Sequence, residues 1–416
     1  MTNTDHETIT TNGLSAVLEL VALPKFLLYI LGNTISLTGS SIQRIAILWF
    51  LWNEAKSTAV LGLFALLSFG PSMITLLYGG LLADTVDQMR IITWSKAVLT
   101  IQALVLVIAV PFDMLSINLV LALAVVQSLI YGINQPSNLA FISNSVPRRL
   151  LGQALTLNTV GSYVARVSGP LLGGWILSTH GLQMAFVVNF LSYLPLFAAI
   201  AIVGSITSSS THVDKQSSHQ RIAGGFQIAV GRRDIAVTLT AYLATAVTIR
   251  SYADFLPAIV DGSSTDHALF LGYLNAAIAV GALLGTLPTV YTATNYARYV
   301  LLIASNITLA CAVVFLFYPT PFPVRLLLAL VAGMSTVIGG VGAQTILASL
   351  AEDSSRGRVL SIYTLIFRGG PAASGAFIGV VAAKYGMAST FAAASVLCGL
   401  VSAVAWRERQ QLRVGQ

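Results

Sequence analysis

The chain has 416 residues, 56% hydrophobic and only 9% charged, with a mean hydropathy of +0.82 and a formal net charge of +7. A soluble domain carries roughly a quarter charged residues, so this composition excludes one; most of the surface must face lipid. The positive balance does not point to nucleic acid, because the basic residues fall in short segments between apolar runs, where membrane orientation accounts for them.

In chain order, Met1 to Gly13 is polar and lacks the basic n-region of a signal peptide, so it reads as a cytoplasmic tail. A bilayer core of about 30 Å needs roughly 20 apolar residues per helix. Such runs occur at Phe26–Trp52, Thr58–Ala83, Ile91–Pro111, Ile117–Val146, Leu151–Ser178 and Leu182–Ile206. After a polar stretch they resume at Ile235–Val260, Ala268–Tyr291, Arg298–Tyr318, Val324–Leu350, Arg358–Ala383 and Ala388–Trp406. The expected fold is all-α and integral to the membrane, with about twelve transmembrane helices in two pseudo-symmetric six-helix bundles. The expected divisions are an N-terminal tail and interfacial segment (1–23), a first bundle (24–206), a cytoplasmic linker (207–234), a second bundle (235–406) and a C-terminal tail (407–416).

With the N-terminus inside, the inner loops and tail receive Arg90, Lys96, Arg148, Arg149, Lys215, Arg221, Arg232, Arg233, Arg298, Arg356, Arg358, Arg407, Arg409 and Arg413. The outer loops keep only Lys56, Arg325 and Lys384, a strong positive-inside bias that places both termini in the cytoplasm. The halves echo each other. Leu61-Gly62 in the second span is matched by Leu271-Gly272 in the eighth, and Arg166, Gly169 and Pro170 by Arg368, Gly370 and Pro371.

Charges inside lipid cost about 2.5–3.5 kcal/mol even on insertion scales, so each invites a functional reading. The spans contain Arg44, Arg166, Arg250, Asp254 and Arg368. Asp254, the sole acid within them, lies four residues after Arg250, a helical spacing that allows an ion pair. That pair is either a proton-responsive switch or a static link. Arg44, with Gln43 beside it, faces a cavity where it could bind an acidic or oxygen-rich substrate or merely hydrate the space. Asn134, Gln135 and Asn138 flank Pro136 and could coordinate substrate or form a packed cluster at a kink.

In the fifth span, Gly161, Ala165, Gly169 and Gly173 recur every four residues, followed by Gly174, with Pro170 inside the pattern. Such a ridge admits a close neighbouring helix, and a bend at Pro170 suits either an interface that rocks or a static one. At the end of the second span, Gly80 and Asp84 share a face, with Arg90 beyond; Asp84 could cap the next helix or pair with a basic gate.

These segments resemble the major facilitator superfamily. Gly80-x-x-x-Asp84 is similar to its loop 2–3 signature, although Thr85 and Asp87 replace the expected basic residue and glycine. Ala165-x-x-x-Gly169-Pro170-x-x-Gly173-Gly174 resembles the fifth-helix antiporter motif, with Ala165 for its first glycine. Gln135 to Asn138, Phe255-Leu256-Pro257-Ala258 and Arg356 to Ser361 resemble drug:proton antiporters of the macrolide-efflux and enterobactin-exporter type, with Ser137-Asn138 departing from that subgroup. The resemblance implies a secondary transporter of the inner membrane, exporting a small amphipathic drug or siderophore in exchange for protons.

Proton-coupled uptake of a nutrient or metal chelate, or a non-transporting receptor, is the alternative. An enzyme is not expected: His6, His180, His212, His219 and His267 all lie in tails, loops or the linker, and no GxxxxGK[ST] is present. Cys311 and Cys398 lack metal or disulfide spacing. No cofactor or metal is expected, and the implied partners are a small molecule, protons and the bilayer, with no oligomer required.

Overall fold

Lipid offers no hydrogen bonds to a peptide group, so a chain that crosses it must satisfy its own backbone. The computed structural model describes residues 19–20, 22–203, 231–260, 267–292, 294–352 and 355–414, apart from the side chains of 77–78, 80–81, 83–85, 148, 290 and 411–414. These residues form helices and no strands.

Helix α1 (Pro24–Ala55) begins on a proline, whose missing N–H is no loss in a first turn. After α2 (Thr58–Thr85), α3 (Gln88–Ala109) is capped by Asp87, whose side chain accepts from the Met89 amide at 2.8 Å. The expected cap, Asp84, is therefore displaced by the acid three residues on; the side chains of Asp84 and Thr85 lie outside the described residues, as does any contact of Gly80 that depends on them. Helix α4 (Ile117–Ser145) follows. The helical stretch Leu151–Val203 has 53 residues, about 80 Å if straight. It reverses at Gly181, where φ is 78° and ψ −177°, a backbone only glycine adopts readily. The stretch is thus two helices, α5 (151–180) and α6 (182–203).

In the second half, α7 runs from Arg233 to Thr248, breaks at Ile249, continues as a 3-10 turn over Arg250–Phe255 and ends in Leu256–Val260. It is followed by α8 (His267–Leu284), α9 (Asn295–Leu316), α10 (Phe322–Leu350), α11 (Arg356–Tyr385) and α12 (Met387–Val414). Ten helical stretches are long and apolar enough to cross a bilayer, and Leu151–Val203 supplies two crossings. The remaining one is α1, whose apolar run is interrupted by Asn33, Gln43 and Arg44. Twelve helices result, as expected from the apolar runs. Helix α12 continues to Val414, so the segment expected as a tail from residue 407 is helical for most of its length. Most of the expected linker, 207–230, lies outside the described residues.

Within the first half, α1 packs on α5 and α6, and α2 on α4; within the second, α8 packs on α10, and α7 on α11 and α12. The small-residue ridge of α5 belongs to this internal packing. A Cβ on Gly169 would stand 3.0 Å from the Thr38 carbonyl, and one on Gly173 would stand 3.3 Å from the Ile42 Cα, both on α1; Gly161 faces Thr34 of the same helix. Of the two readings left open for the ridge, a rocking or a static interface, this contact from Gly161 to Gly173 is one within a half. Its partner is a helix of the same half, because the four-residue period keeps these positions on one side of α5. Gly370 of α11 does the equivalent job: a Cβ there would stand 2.8 Å from the Ala246 carbonyl of α7.

The halves meet through two crossed pairs, α2 with α11 and α5 with α8. A Cβ on Gly62 would lie 2.8 Å from the Gly379 Cα, and one on Gly379 2.8 Å from the Thr58 carbonyl. Across the other pair, a Cβ on Gly174 would meet the Ala268 carbonyl at 2.7 Å, and one on Gly272 the Pro170 carbonyl at 2.6 Å. These glycines sit at the start of α2 and α8 and near the ends of α5 and α11, far from the chain termini. We call this the distal end. Thr58 Oγ donates to the Gly379 carbonyl at 3.0 Å, and Trp49 stacks on His267 at 6.3 Å, adding to the same seal.

Candidate functional site

Directly beneath the distal seal, the Arg44 guanidinium of α1 donates to the Asp254 carboxylate of α7. This ion pair crosses from one half to the other. Arg44 also lies over the rings of Phe64 and Phe69 on α2, 5.4 and 5.2 Å from their centroids, which holds its plane against an apolar wall. The Asp254 side chain is only 8% exposed, whereas that of Arg44 is 36% exposed. One end of the pair is sealed and the other reaches solvent.

The expected pairing of Asp254 with Arg250 is not formed. Four-residue spacing aligns two side chains on an α-helix, but Arg250–Phe255 is a 3-10 turn with three residues per turn, which swings the fourth residue about 120° away. Arg250 instead donates to the Tyr242 hydroxyl and stacks on Phe367 of α11, 4.2 Å from the ring centroid. Tyr242 is itself stacked on Tyr363 at 5.1 Å.

Arg166 of α5 is exposed and sits one turn before Pro170, whose carbonyl faces Gly272 of the second half. It is within electrostatic reach of both Arg44 and Arg250, and Arg368 of α11 is within reach of Arg166. The four arginines predicted from the sequence therefore form one connected group between the halves.

Other predicted residues lie elsewhere. Gln43 is 1% exposed and accepts from the Asn189 side-chain amide of α6 at 2.5 Å, so it holds the first half together and does not line the cavity. Neighbouring positions on a helix point about 100° apart, which is why Arg44 faces the centre and Gln43 does not. Asn138 accepts from the Tyr29 hydroxyl at 2.6 Å, while the Asn134 amide nitrogen is buried without a partner and Gln135 is exposed. Arg90 is exposed in the first turn of α3. Gly161, Ala165, Gly169 and Gly173 pack inside the first half, and Gly174 with Pro170 reaches the second.

One charged residue was missed. Lys96, assigned to an inner loop, is 3% exposed within α3; its ammonium donates to Ser36 Oγ at 3.3 Å and lies 6.0 Å from the Tyr193 ring centroid. No carboxylate pairs with it among the described residues. The signal was available, since the predicted third span starts at Ile91 and already encloses Lys96.

Comparison with known proteins places this arrangement. A family model described as "Transmembrane secretion effector" matches residues 22–415. Solved structures share the fold at low identity. A bacterial homologue of the human lysosomal transporter Spinster, inward-facing and unoccupied, is 15% identical, covers 93% of this chain and 97% of its own, and has a TM-score of 0.68. The nucleoside transporter NupG is 11% identical over 92% and 98% of the two chains, with a TM-score of 0.69. A D-xylose-proton symporter is 14% identical over 92% and 96%, with a TM-score of 0.68. No curated protein matches significantly in sequence.

Proposed function

We propose that this chain, which belongs to the transmembrane secretion effector family of major facilitator transporters, exports a small amphipathic molecule, such as a drug or siderophore, in exchange for protons. That it is a membrane transporter and not an enzyme follows from the family; direction, cargo and coupling are the parts proposed. The carrying observation is the Arg44–Asp254 pair, the one ion pair that ties the two halves together among the described residues.

Alternating access requires the halves to close at one end while they open at the other. Here the distal end is shut by Gly62 against Gly379, by Gly174 against Gly272, and by the ion pair beneath them. With the basic segments on the cytoplasmic side, the distal end faces outward, both termini lie inside, and the conformation is inward-facing. The membrane is the cytoplasmic (inner) membrane in this reading. A proton on Asp254 removes the attraction that ties the halves, so the tie holds only while Asp254 is ionised. The motif at Gly169-Pro170 and Gly173-Gly174, similar to that of exporters, supports outward transport.

The test is flux in everted membrane vesicles. An inside-acid gradient should drive accumulation of cargo, and a protonophore should abolish it. Accumulation confined to right-side-out cells would reverse the direction and favour uptake; no flux in either orientation would favour a receptor.

A further inference from the structure

Charge narrows the cargo. Among the described residues Asp254 is the one carboxylate in an ion pair across the halves, set against Arg44, Arg166, Arg250 and Arg368. Arg44 is matched by Asp254, and Arg250 is occupied by Tyr242 and the face of Phe367. Arg166 and Arg368 have neither a carboxylate nor a hydrogen-bond acceptor among the described residues. Each guanidinium offers five N–H donors in a plane suited to carboxylate or phosphate oxygens. Like charges gathered in a region of low dielectric repel one another more strongly than in water. An isolated excess of this kind persists where it is used to receive negative charge. The surrounding rings of Phe64, Phe69, Phe367, Tyr242 and Tyr363 offer apolar and π-face contacts that a small inorganic ion cannot exploit.

We propose that the Arg44–Arg166–Arg250–Arg368 cluster is the cargo site and that it takes an organic anion: a carboxylate, sulfonate or phosphate carried on an apolar, ring-sized body. This rests on the transport reading above and supplies its substrate class.

The same geometry gives a rule for coupling. With neither ligand bound, ionised Asp254 holds Arg44 and the distal end stays tied. A cargo anion on Arg44 displaces Asp254, and a proton on Asp254 releases Arg44. Either event frees the halves, because each removes one side of the same attraction. The charged group in contact with Asp254 is Arg44 from α1; Arg166 from α5 is within electrostatic reach of Arg44 and Arg250, Arg368 from α11 is within reach of Arg166, and Tyr242, Tyr252 and Tyr363 are within reach of Arg250. An inside-negative potential adds about 2.3 kcal/mol per 100 mV to the exit of each net negative charge moved, which agrees with export.

The experiment is equilibrium binding to the full chain in neutral detergent, with three probes that share one naphthyl body: 2-naphthoate, 2-naphthamide and a naphthyl-trimethylammonium. The expected result is naphthoate binding at least tenfold tighter than the other two, reduced at least tenfold in Arg166→Gln and Arg368→Gln, with melting temperatures of the unliganded variants unchanged or raised. Equal binding of amide or cation, no binding of naphthoate up to millimolar concentration, or unchanged binding in both variants would overturn the inference. Vesicle flux separates this from the transport reading. Anion binding without any flux would support the site and remove the exporter, whereas proton-driven flux of a cation at the normal rate in both arginine variants would do the reverse.

Discussion

Arg44 and Asp254 are separated by 210 residues in the chain and belong to different halves of the molecule, yet they form an ion pair just under the distal seal. Their meeting depends on two departures from regular structure. The 3-10 turn after Ile249 turns Asp254 away from Arg250, and the crossed glycine contacts bring α1 near α7.

Replacing Asp254 with Asn keeps the size and removes the charge. Fully buried pairs lose about 3–5 kcal/mol when one partner is removed; Arg44 is partly solvated, so the loss here should fall below that range. The functional effect should be larger than the stability effect. Transport measured across a pH series should lose its pH dependence. A wild-type pH profile would remove Asp254 as the coupling site.

A charge swap provides a stricter check. Arg44→Asp and Asp254→Arg should each lower the melting temperature, and the double variant should recover a large part of the loss. A double-mutant cycle with a coupling energy of about 0.5–3 kcal/mol is expected for groups in direct contact. Additive effects would mean that the pair does not tie the halves.

Glycines at the seam and glycines in the ridge should behave differently. Leucine at Gly174 or Gly272 collides with backbone of the opposite half only when the distal end is closed. Overpacking of about 1–3 kcal/mol confined to one state would shift the conformational equilibrium by roughly 5–150-fold toward outward opening. Gly169→Leu should instead destabilise the first half in either state, because its obstacle is Thr38 of α1. Accessibility of distal cysteines to a membrane-impermeant maleimide distinguishes these outcomes; if Gly174→Leu leaves labelling unchanged, the seam does not gate.

Lys96 is a buried cation whose only described hydrogen bond is to Ser36. Replacing a buried charge by an apolar side chain of similar length is often neutral or stabilising by about 1–4 kcal/mol. Lys96→Met should therefore hold or raise the melting temperature. A marked fall would mean that the ammonium is integral to the first half.

Much of this was legible in the sequence. Apolar runs separated by basic segments define the twelve helices, because lipid demands about 20 apolar residues whatever the protein does. The scarcity of charge made the four arginines and Asp254 conspicuous, and the echo of Gly62 in Gly272 marked positions that perform matching jobs at the two crossed contacts. Partnership was not legible. Spacing suggested Arg250 for Asp254 because an uninterrupted α-helix was assumed, and nothing local announces the 3-10 turn. The ridge from Gly161 to Gly173 announced close packing without naming its partner, since any neighbouring helix benefits from small residues. Gln43 and Arg44, adjacent in sequence, differ only in direction, which depends on the rotation of α1 within its half.

The central claim, that the Arg44–Asp254 tie holds the distal end shut until a proton or cargo releases it, is most directly tested by a spin–spin distance across that end. Labels at Lys56 and Lys384, both on the distal surface, would be introduced in a background where Cys311 and Cys398 are replaced by alanine. The account predicts a single short distance at high pH without cargo, and a longer population that grows on acidification or when an organic anion is added. Asp254→Asn should show that longer population at every pH. A distance distribution that ignores pH, anion and the Asp254→Asn substitution alike would contradict it.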